Sequence, residues 1–516
     1  MSAEPRFSRE ALQIHYFLDI PRLQAGGRAR LTRLWQACDR LGMGQPLPPA
    51  SDLALPTAIE GSPGFRRLTA RKRQGPGVYE AMLYTYGNAL GLAVILAPPE
   101  TGVSHTATRT AAVWTELNDV WDRASASSPS GTPDPLLGAI RIHRALVEPA
   151  ADTPRTADEV GQQLALRLSG TSASTPDTLS ERVTLGPGLS LWEATSAQAD
   201  PVGRDRRFLT TAAATDDQEG LLDDWVWTDG SGRLAPVTRY LLHASIVRHQ
   251  YRVRRNADQR LSREQQGLQQ EANRLLDECH RLLGTGSGRT SRRALARWEK
   301  LAEAAQKLQI ADRQAGVKDS HLRTMAQTVT IAADAMNSSL NEPGRPDPRP
   351  LAADVQCVER LSAVLQDDAA GIAATRELVS EAVRVTTQEA TQRLQNHQQY
   401  VSLVQTSVIG GLLMALTAVQ ALGYKLPIPA STQGPLIALL TALAIALPTV
   451  VLRRWRGGYG GRGGALFEVA GLAGTGAAAG WLSSRLLDTG HTALWAIPGA
   501  LLFSITGVWL VRRAFL

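Results

Sequence analysis

The sequence predicts an α+β N-terminal region, a long α-helical coiled-coil stalk and a C-terminal α-helical transmembrane bundle. Three observations lead there. Strand-like and helix-like stretches alternate up to residue 236, apolar residues then recur every three or four positions to about residue 400, and charge-free runs crowd into residues 401–516. The mean hydropathy of −0.14 averages over these unlike regions and conceals them.

Residues 1–150 begin with LQIHYFLDI at 12–20, a strand pattern, followed by a helical pattern at 28–41. VYEAMLYTYG at 78–87 and LGLAVILAP at 90–98 read as a hairpin across a short Gly/Asn turn. A helix at 106–123 and a strand near 140–147 complete the order βαββαβ, which is that of a ferredoxin-like layer. The run SASSPSGTPDP at 125–135 interrupts this unit, and EPAADTPRTADE at 148–159 closes it. A second α+β unit over 151–236 follows from a helix at 160–168 and strand-like stretches at 182–194, 206–214 and 223–236. The last of these contains a DGSG turn at 229–232.

From 237 to 400 the pattern is helical, broken only at 284–289 and at NEPGRPDPRP, 341–350, so three long helices are expected. Ala257, Leu261, Leu268, Ala272, Leu275, Cys279 and Leu282 mark the seam of the first. Leu295, Trp298, Leu301, Ala305, Leu308, Leu322, Met325 and Val329 mark that of the second. The third runs from Leu351 through Val358, Leu365, Ile372, Val379 and Val383 to Tyr400, and from there into the first charge-free run without a break.

Four such runs, 401–422, 435–452, 465–484 and 491–511, are long enough as helices to cross a hydrocarbon core of about 30 Å. Arg453, Arg454, Arg456 and Arg462 between the second and third runs, with Arg512 and Arg513 after the fourth, place both termini in the cytosol by the positive-inside rule. The expected location is therefore the bacterial cytoplasmic membrane, multi-pass, with the lipid bilayer as a partner. Glu468 is a carboxylate within a span, which calls for water or a partner. The small residues Gly410, Gly411, Gly476 and Gly480 offer helix-packing surfaces, within one chain or in a homo-oligomer. Residues 1–10 lack an apolar signal-peptide core, so the N-terminal region is expected to stay in the cytosol.

No catalytic signature is present: GxSxG, a Walker phosphate loop, HExxH and CxxC are all missing, so neither enzymatic activity nor a cofactor is expected. Cys38, Cys279 and Cys357 are too scattered for a disulfide frame or a zinc cluster and read as packing residues. The formal net charge of +7 comes mainly from arginine, a usage expected of a GC-rich bacterial genome. Two basic clusters are candidate anion-binding surfaces: RRLTARKR in a loop, with Arg66, Arg67, Arg71, Lys72 and Arg73, and Arg248 with Arg252 on one face of the first long helix. Few aromatic residues are interleaved with them, so no firm nucleic-acid signal results, and a solvated or internally paired face accounts for them as well.

GPGVYEAMLYTYGNALGLAVILAPP at 75–99 and WVWTDGSGRLAPVTRYLLHASIVRHQYRV at 225–253 resemble the CATRA family, the caspase- and TPR-repeat-associated proteins of bacterial conflict systems. The resemblance spans residue 10 to about 400. It implies a caspase-like protease or TPR-containing partner, a role in antiphage defence, and a cell-killing response for which the C-terminal helices would act as a membrane-perturbing effector. On that reading the Pro-rich linker containing Asp347 is a candidate cleavage site. Two rival readings are a CorA-like ion channel and a membrane-tethering scaffold. The channel family's Gly-Met-Asn signature is missing, the corresponding stretch being Leu422, Gly423, Tyr424, Lys425 and Leu426.

Overall fold

The computed structural model describes residues 4–48, 52–100, 102–126, 134–148, 156–168, 178–195, 200, 202–227, 232–284, 292–341, 349–423, 429–455, 462–487 and 492–513. The N-terminal elements are β1 (Arg6–Asp19), α1 (Arg28–Arg40), β2 (Gln45–Pro46), β3 (Ser62–Lys72), β4 (Val78–Gly87), β5 (Ala89–Ala97), β6 (His105–Thr106), α2 (Ala107–Ser125), β7 (Leu136–Val147), α3 (Ala157–Leu168), β8 (Thr178–Leu179), β9 (Val183–Gly186), β10 (Leu189–Thr195), β11 (Asp205–Ala213) and α4 (Asp216–Val226). They form one mixed sheet with the order β2-β3-β4-β5-β1-β7-β11-β10-β8; β6 pairs with β1 and β9 with β10.

The central order β4-β5-β1-β7 is antiparallel throughout and follows from alternation along β1. Leu12, Ile14, Tyr16 and Leu18 face one side and pack with Leu31, Leu34, Trp35 and Cys38 of α1 and Val113, Leu117 and Trp121 of α2. A bulge between Ser8 and Ala11 shifts the alternation, which lets Phe7 join Trp114 on that same side. Arg9, at φ 53°, sits within the bulge. β5 is buried on both faces, consistent with its nearly unbroken apolar run.

Several expectations need correcting. The 151–236 region is not a separate layer: β11 runs parallel to β7 from Asp205↔Ala139 to Ala213↔Val147 and so continues the first sheet. The stretch at 223–236 is not a strand. Its first residues end helix α4, where the Thr215 hydroxyl accepts from the Gln218 amide at 3.3 Å and Asp216, Asp217 and Glu219 suit the positive end of the helix dipole. Most of the expected turn at 229–232 lies outside the described residues. All of RRLTARKR but its last residue, Arg73, belongs to strand β3, not to a loop.

Three long helices follow: α5 (Pro236–Gly284), α6 (Arg292–Leu340) and α7 (Ala352–Gly423). The chain divides into two units, Met1–Ser262 with Lys318–Gly371, and Arg263–Val317 with Ile372–Leu516. In the first, the opening turns of α5 cross the sheet face opposite α1 and α2. His243 lies edge-on to Tyr86 at 5.9 Å, and a Cβ on Gly138 would come within 2.5 Å of Ser245 Oγ. In the second, Ala272, Leu275 and Cys279 of α5 share a core with Trp298, Leu301, Ala305 and Leu308 of α6 and with Val379, Ala382 and Ala390 of α7. Arg376 Nε donates to Asp312 Oδ1 at 3.1 Å, tying α7 to α6.

The second unit ends in α8 (Ala430–Trp455), α9 (Arg462–Leu486) and α10 (Thr492–Arg513). Among the described residues no helix is long and apolar enough to cross a membrane. That overturns the C-terminal α-helical transmembrane bundle and the multi-pass placement with cytosolic termini, and it leaves the bilayer as partner and the channel and tether readings without support. The expectation equated freedom from charge with apolarity. In 465–484 Gly, Ala, Ser and Thr fill most of the run, and stabilisation of about 25 cal/mol per Å² of apolar surface means that such small side chains contribute little each. In α9 they let helices approach closely instead. Gly476 lies against the Gly499 carbonyl and Phe503 Cβ of α10, Gly480 against the Trp495 carbonyl, and a Cβ on Gly434 of α8 would meet the Trp481 ring at 3.4 Å.

Candidate functional site, a buried ionic cluster

Strands β10 and β11, helix α5 and the first turn of α7 each carry a charged or hydroxyl group to one place inside the first unit. Glu193 and Arg206 project from neighbouring strands. Tyr240 and Arg248 lie two turns apart on one face of α5, and Asp354 lies just inside the start of α7. Arg206 embraces Glu193 in bidentate fashion, Nε to Oε1 at 2.6 Å and Nη2 to Oε2 at 2.8 Å, and also donates from Nη2 to Asp354 Oδ2 at 2.9 Å. Arg248 Nε reaches Asp354 Oδ1 at 2.9 Å, and the Tyr240 hydroxyl donates to Asp354 Oδ2 at 2.8 Å. The same hydroxyl accepts from the Leu351 amide at 3.0 Å, so the chain entering α7 is held as well.

The side chains of Glu193, Arg206, Arg248 and Asp354 are at most 6% exposed. Charges so far from water persist only when balanced, and here two guanidiniums face two carboxylates. Burial alone would raise the Asp354 carboxyl; Arg206, Arg248 and the Tyr240 hydroxyl outweigh it and hold the group below its ordinary value. Burial and the adjacent Asp354 carboxylate together raise the Tyr240 phenol well above its usual range. The site contains no activated nucleophile. Cys357, one turn along α7, is buried and its thiol is pushed up by that burial, and burial drives Cys38 to about 12. Among the described residues no group of three or more His, Cys, Asp or Glu could hold a metal ion. The cluster fixes the start of a 72-residue helix to the sheet.

Flanking contacts extend the attachment. Arg254 of α5 pairs with Asp368 of α7 and with Asp258 at 2.8 Å, and Arg239 donates to Ser339 Oγ at 3.0 Å near the end of α6. Arg252 donates to the carbonyls of Leu137 at 2.5 Å and Val202 at 2.8 Å. It has burial and the nearby Arg204 and Arg248 around it, and these lower it to about 10.

The residues singled out by sequence therefore disperse. Arg248 and Arg252 are buried and internally engaged. Arg71 is buried too, stacked on Trp35 at 3.9 Å, paired with Asp39 and donating to the Leu53 carbonyl at 2.8 Å. Arg73 lies over the Tyr79 ring at 3.4 Å, Arg66 donates to the Glu60 carbonyl at 3.1 Å and is exposed, and Arg67 and Lys72 are half-buried. Gly410 and Gly411 fall within α7, and Gly410 faces open space. Arg453 and Arg454 fall in α8, Arg462 and Glu468 in α9, and Arg512 and Arg513 in α10, with their side chains outside the described part. Arg456 and Asp347 lie outside the described residues. Glu193, Arg206, Tyr240 and Asp354 escaped the sequence reading. The available signal was a glutamate in the apolar run LSLWEA and an aspartate in a helical first turn, which say nothing of each other without the fold.

The fold is a mixed sheet whose buried charges hold the start of a long helix. Residues 11–230 match the CASPASE and TPR Repeat-Associated N-terminal domain, CATRA-N, and residues 235–379 match the corresponding C-terminal domain, CATRA-C. The chain belongs to the CATRA family, whose domains associate with caspase and TPR-repeat systems. No curated protein and no solved structure matches it.

Proposed function

We propose that the chain is a non-enzymatic, partner-binding component of a bacterial caspase-linked conflict system, in which the ionic cluster holds α7 until a caspase-like or TPR-containing partner acts on it. One observation supports this above the others. Among the described residues that follow the linker containing Asp347, the Leu351 amide and the Asp354 carboxylate are both gripped by α5 and the sheet. A cut or a pull on that linker acts directly on the grip. Because breaking one partner out of a buried ion pair costs about 3–5 kcal/mol, the attachment is firm at rest and lost as a unit.

The test is reconstitution with a caspase-like protease or a TPR-repeat protein from the same source, reading amide exchange over residues 351–365. Stable binding, or cleavage in 341–350 that an Asp347→Ala variant resists, followed by faster exchange at the start of α7, supports the proposal. Binding or cleavage that leaves exchange there unchanged removes the mechanism, and the lack of any interaction removes the function.

A further inference from the structure

Where β1 ends and β7 and β11 begin, one corner of the first unit collects positive charge. Arg22 follows β1, Arg30 belongs to α1, Arg204 precedes β11, and His249, Arg252 and Arg255 lie on neighbouring turns of α5. Three carboxylates answer them. Asp19 lies 3.6 Å from Arg22, Asp134 takes Arg30 at 3.2 Å and also Arg204, and Asp200 takes Arg255 at 2.9 Å. Arg252 is left with neutral partners. Its Nη atoms donate to the carbonyls of Leu137, Val202 and Gly203 at 2.5, 2.8 and 3.3 Å, and its Nε has no partner among the described residues. His249 Nδ1 has none there either. Arg252 is 9% exposed and His249 6%, whereas Arg204 and Arg255 are exposed and Arg22 and Arg30 half-buried, so arginines that reach water ring the two buried side chains.

A buried guanidinium without a carboxylate is costly unless an anion joins it. The neighbouring groups register the excess. Burial and then Arg22, Arg252 and Arg204 lower His249 to about 4, with Asp134 opposing them. With His249 neutral, the guanidiniums of Arg22, Arg30, Arg204, Arg252 and Arg255 exceed the carboxylates of Asp19, Asp134 and Asp200 by two. The ionic cluster is balanced on its own and adds nothing to that excess. A phosphate group, at about −1.5 to −2 near pH 7, matches it, whereas a carboxylate would cancel half. The planar fork of arginine also suits phosphate oxygens in pairs. A nucleic-acid backbone would have to pass the interleaved Asp134 and Asp200, which repel it; one compact group does not. We infer that this corner takes a phosphate group, free or carried by a small molecule, held by Arg22 and Arg204 with Arg252 and His249 behind them. The inference does not depend on release of α7.

Calorimetric titration of the full chain with inorganic phosphate and with phenyl phosphate tests it, with acetate at equal ionic strength alongside. The expected results are a single saturable site, slower amide exchange at 134–139 and 202–206, and binding about tenfold weaker in an Arg204→Gln variant. An Asp134→Asn variant, which removes a competing carboxylate, is expected to bind more tightly. The two variants move affinity in opposite directions, which a general folding defect does not imitate. Phenyl phosphate binding at least as tightly as the free ion assigns an organic ester as the source, and its exclusion assigns the free ion; both support the site. Failure of phosphate to saturate, an equal response to acetate, or affinity unchanged in both variants would overturn the inference. Displacement of phosphate by an oligonucleotide of equal charge would do the same, since it would make the corner a nucleic-acid contact.

Discussion

Asp354 is the residue on which most contacts in the cluster converge, accepting from Arg206, Arg248 and Tyr240. Replacing it with Asn keeps the size but removes the charge that balances two buried guanidiniums. The expected loss is about 3 kcal/mol of stability for the first unit, read by urea unfolding followed through tryptophan fluorescence. A cycle combining Asp354→Asn with Arg248→Gln is expected to give a coupling of about 1–3 kcal/mol; additive losses would mean that the two do not act together. The histidines set the response to acid. Burial lowers His15 to about 4 and His143 to about 3, whereas an unfolded histidine titrates near 6.5. Below pH 6.5 the unfolded chain therefore takes up protons that the folded one refuses. Stability contributed by these groups is complete above pH 6.5 and declines as pH falls toward 4, by about 1.4 kcal/mol per pH unit for each histidine. A His15→Leu variant is expected to flatten that slope; an unchanged slope would place the acid response elsewhere.

Elements were legible where periodicity and burial agree. The alternation in β1, the hairpin β4–β5 and the middle of the seams of α5, α6 and α7 each follow from a one-sided apolar pattern that the fold uses, whereas Ala257, expected in the first seam, is exposed. Elements whose residues serve two purposes were not. β3 is a strand that carries Arg66, Arg67 and Arg71, and that charge disguised it as a loop. In α4, Trp225 and Val226 look strand-like, but they are the inner residues of a helix whose start was signalled by Thr215 and the three acids after it. The partnership of β7 with β11 has no local signature, since nothing in either strand specifies a parallel neighbour some 60 residues away. In α9 and α10 the glycines Gly476, Gly480 and Gly499 serve close helix packing, and a run rich in small residues resembled a lipid-facing one. Gly480→Val tests that packing: the new side chain meets the Trp495 carbonyl, and an overpacking cost of about 1–3 kcal/mol is expected. Limited proteolysis at 462–513 is the readout, and unaltered resistance would rule out the close approach.

At the scale of the whole molecule, the ionic cluster joins parts of the chain that are made at very different times. Arg206 and Asp354 are 148 residues apart in sequence. At synthesis rates of roughly 5–20 residues per second, the sheet waits on the order of 10 s with Glu193 as the only carboxylate of the cluster available to Arg206 and Arg248. Once α5 has been made, Arg206 and Arg248 share a single carboxylate until α7 arrives, so over that interval the cluster carries a surplus of positive charge. Birth order thus makes a helix far along the chain the one that completes the N-terminal layer, so a ribosome stalled before codon 354 would hold an incomplete fold, open to chaperones and proteases that the finished protein excludes.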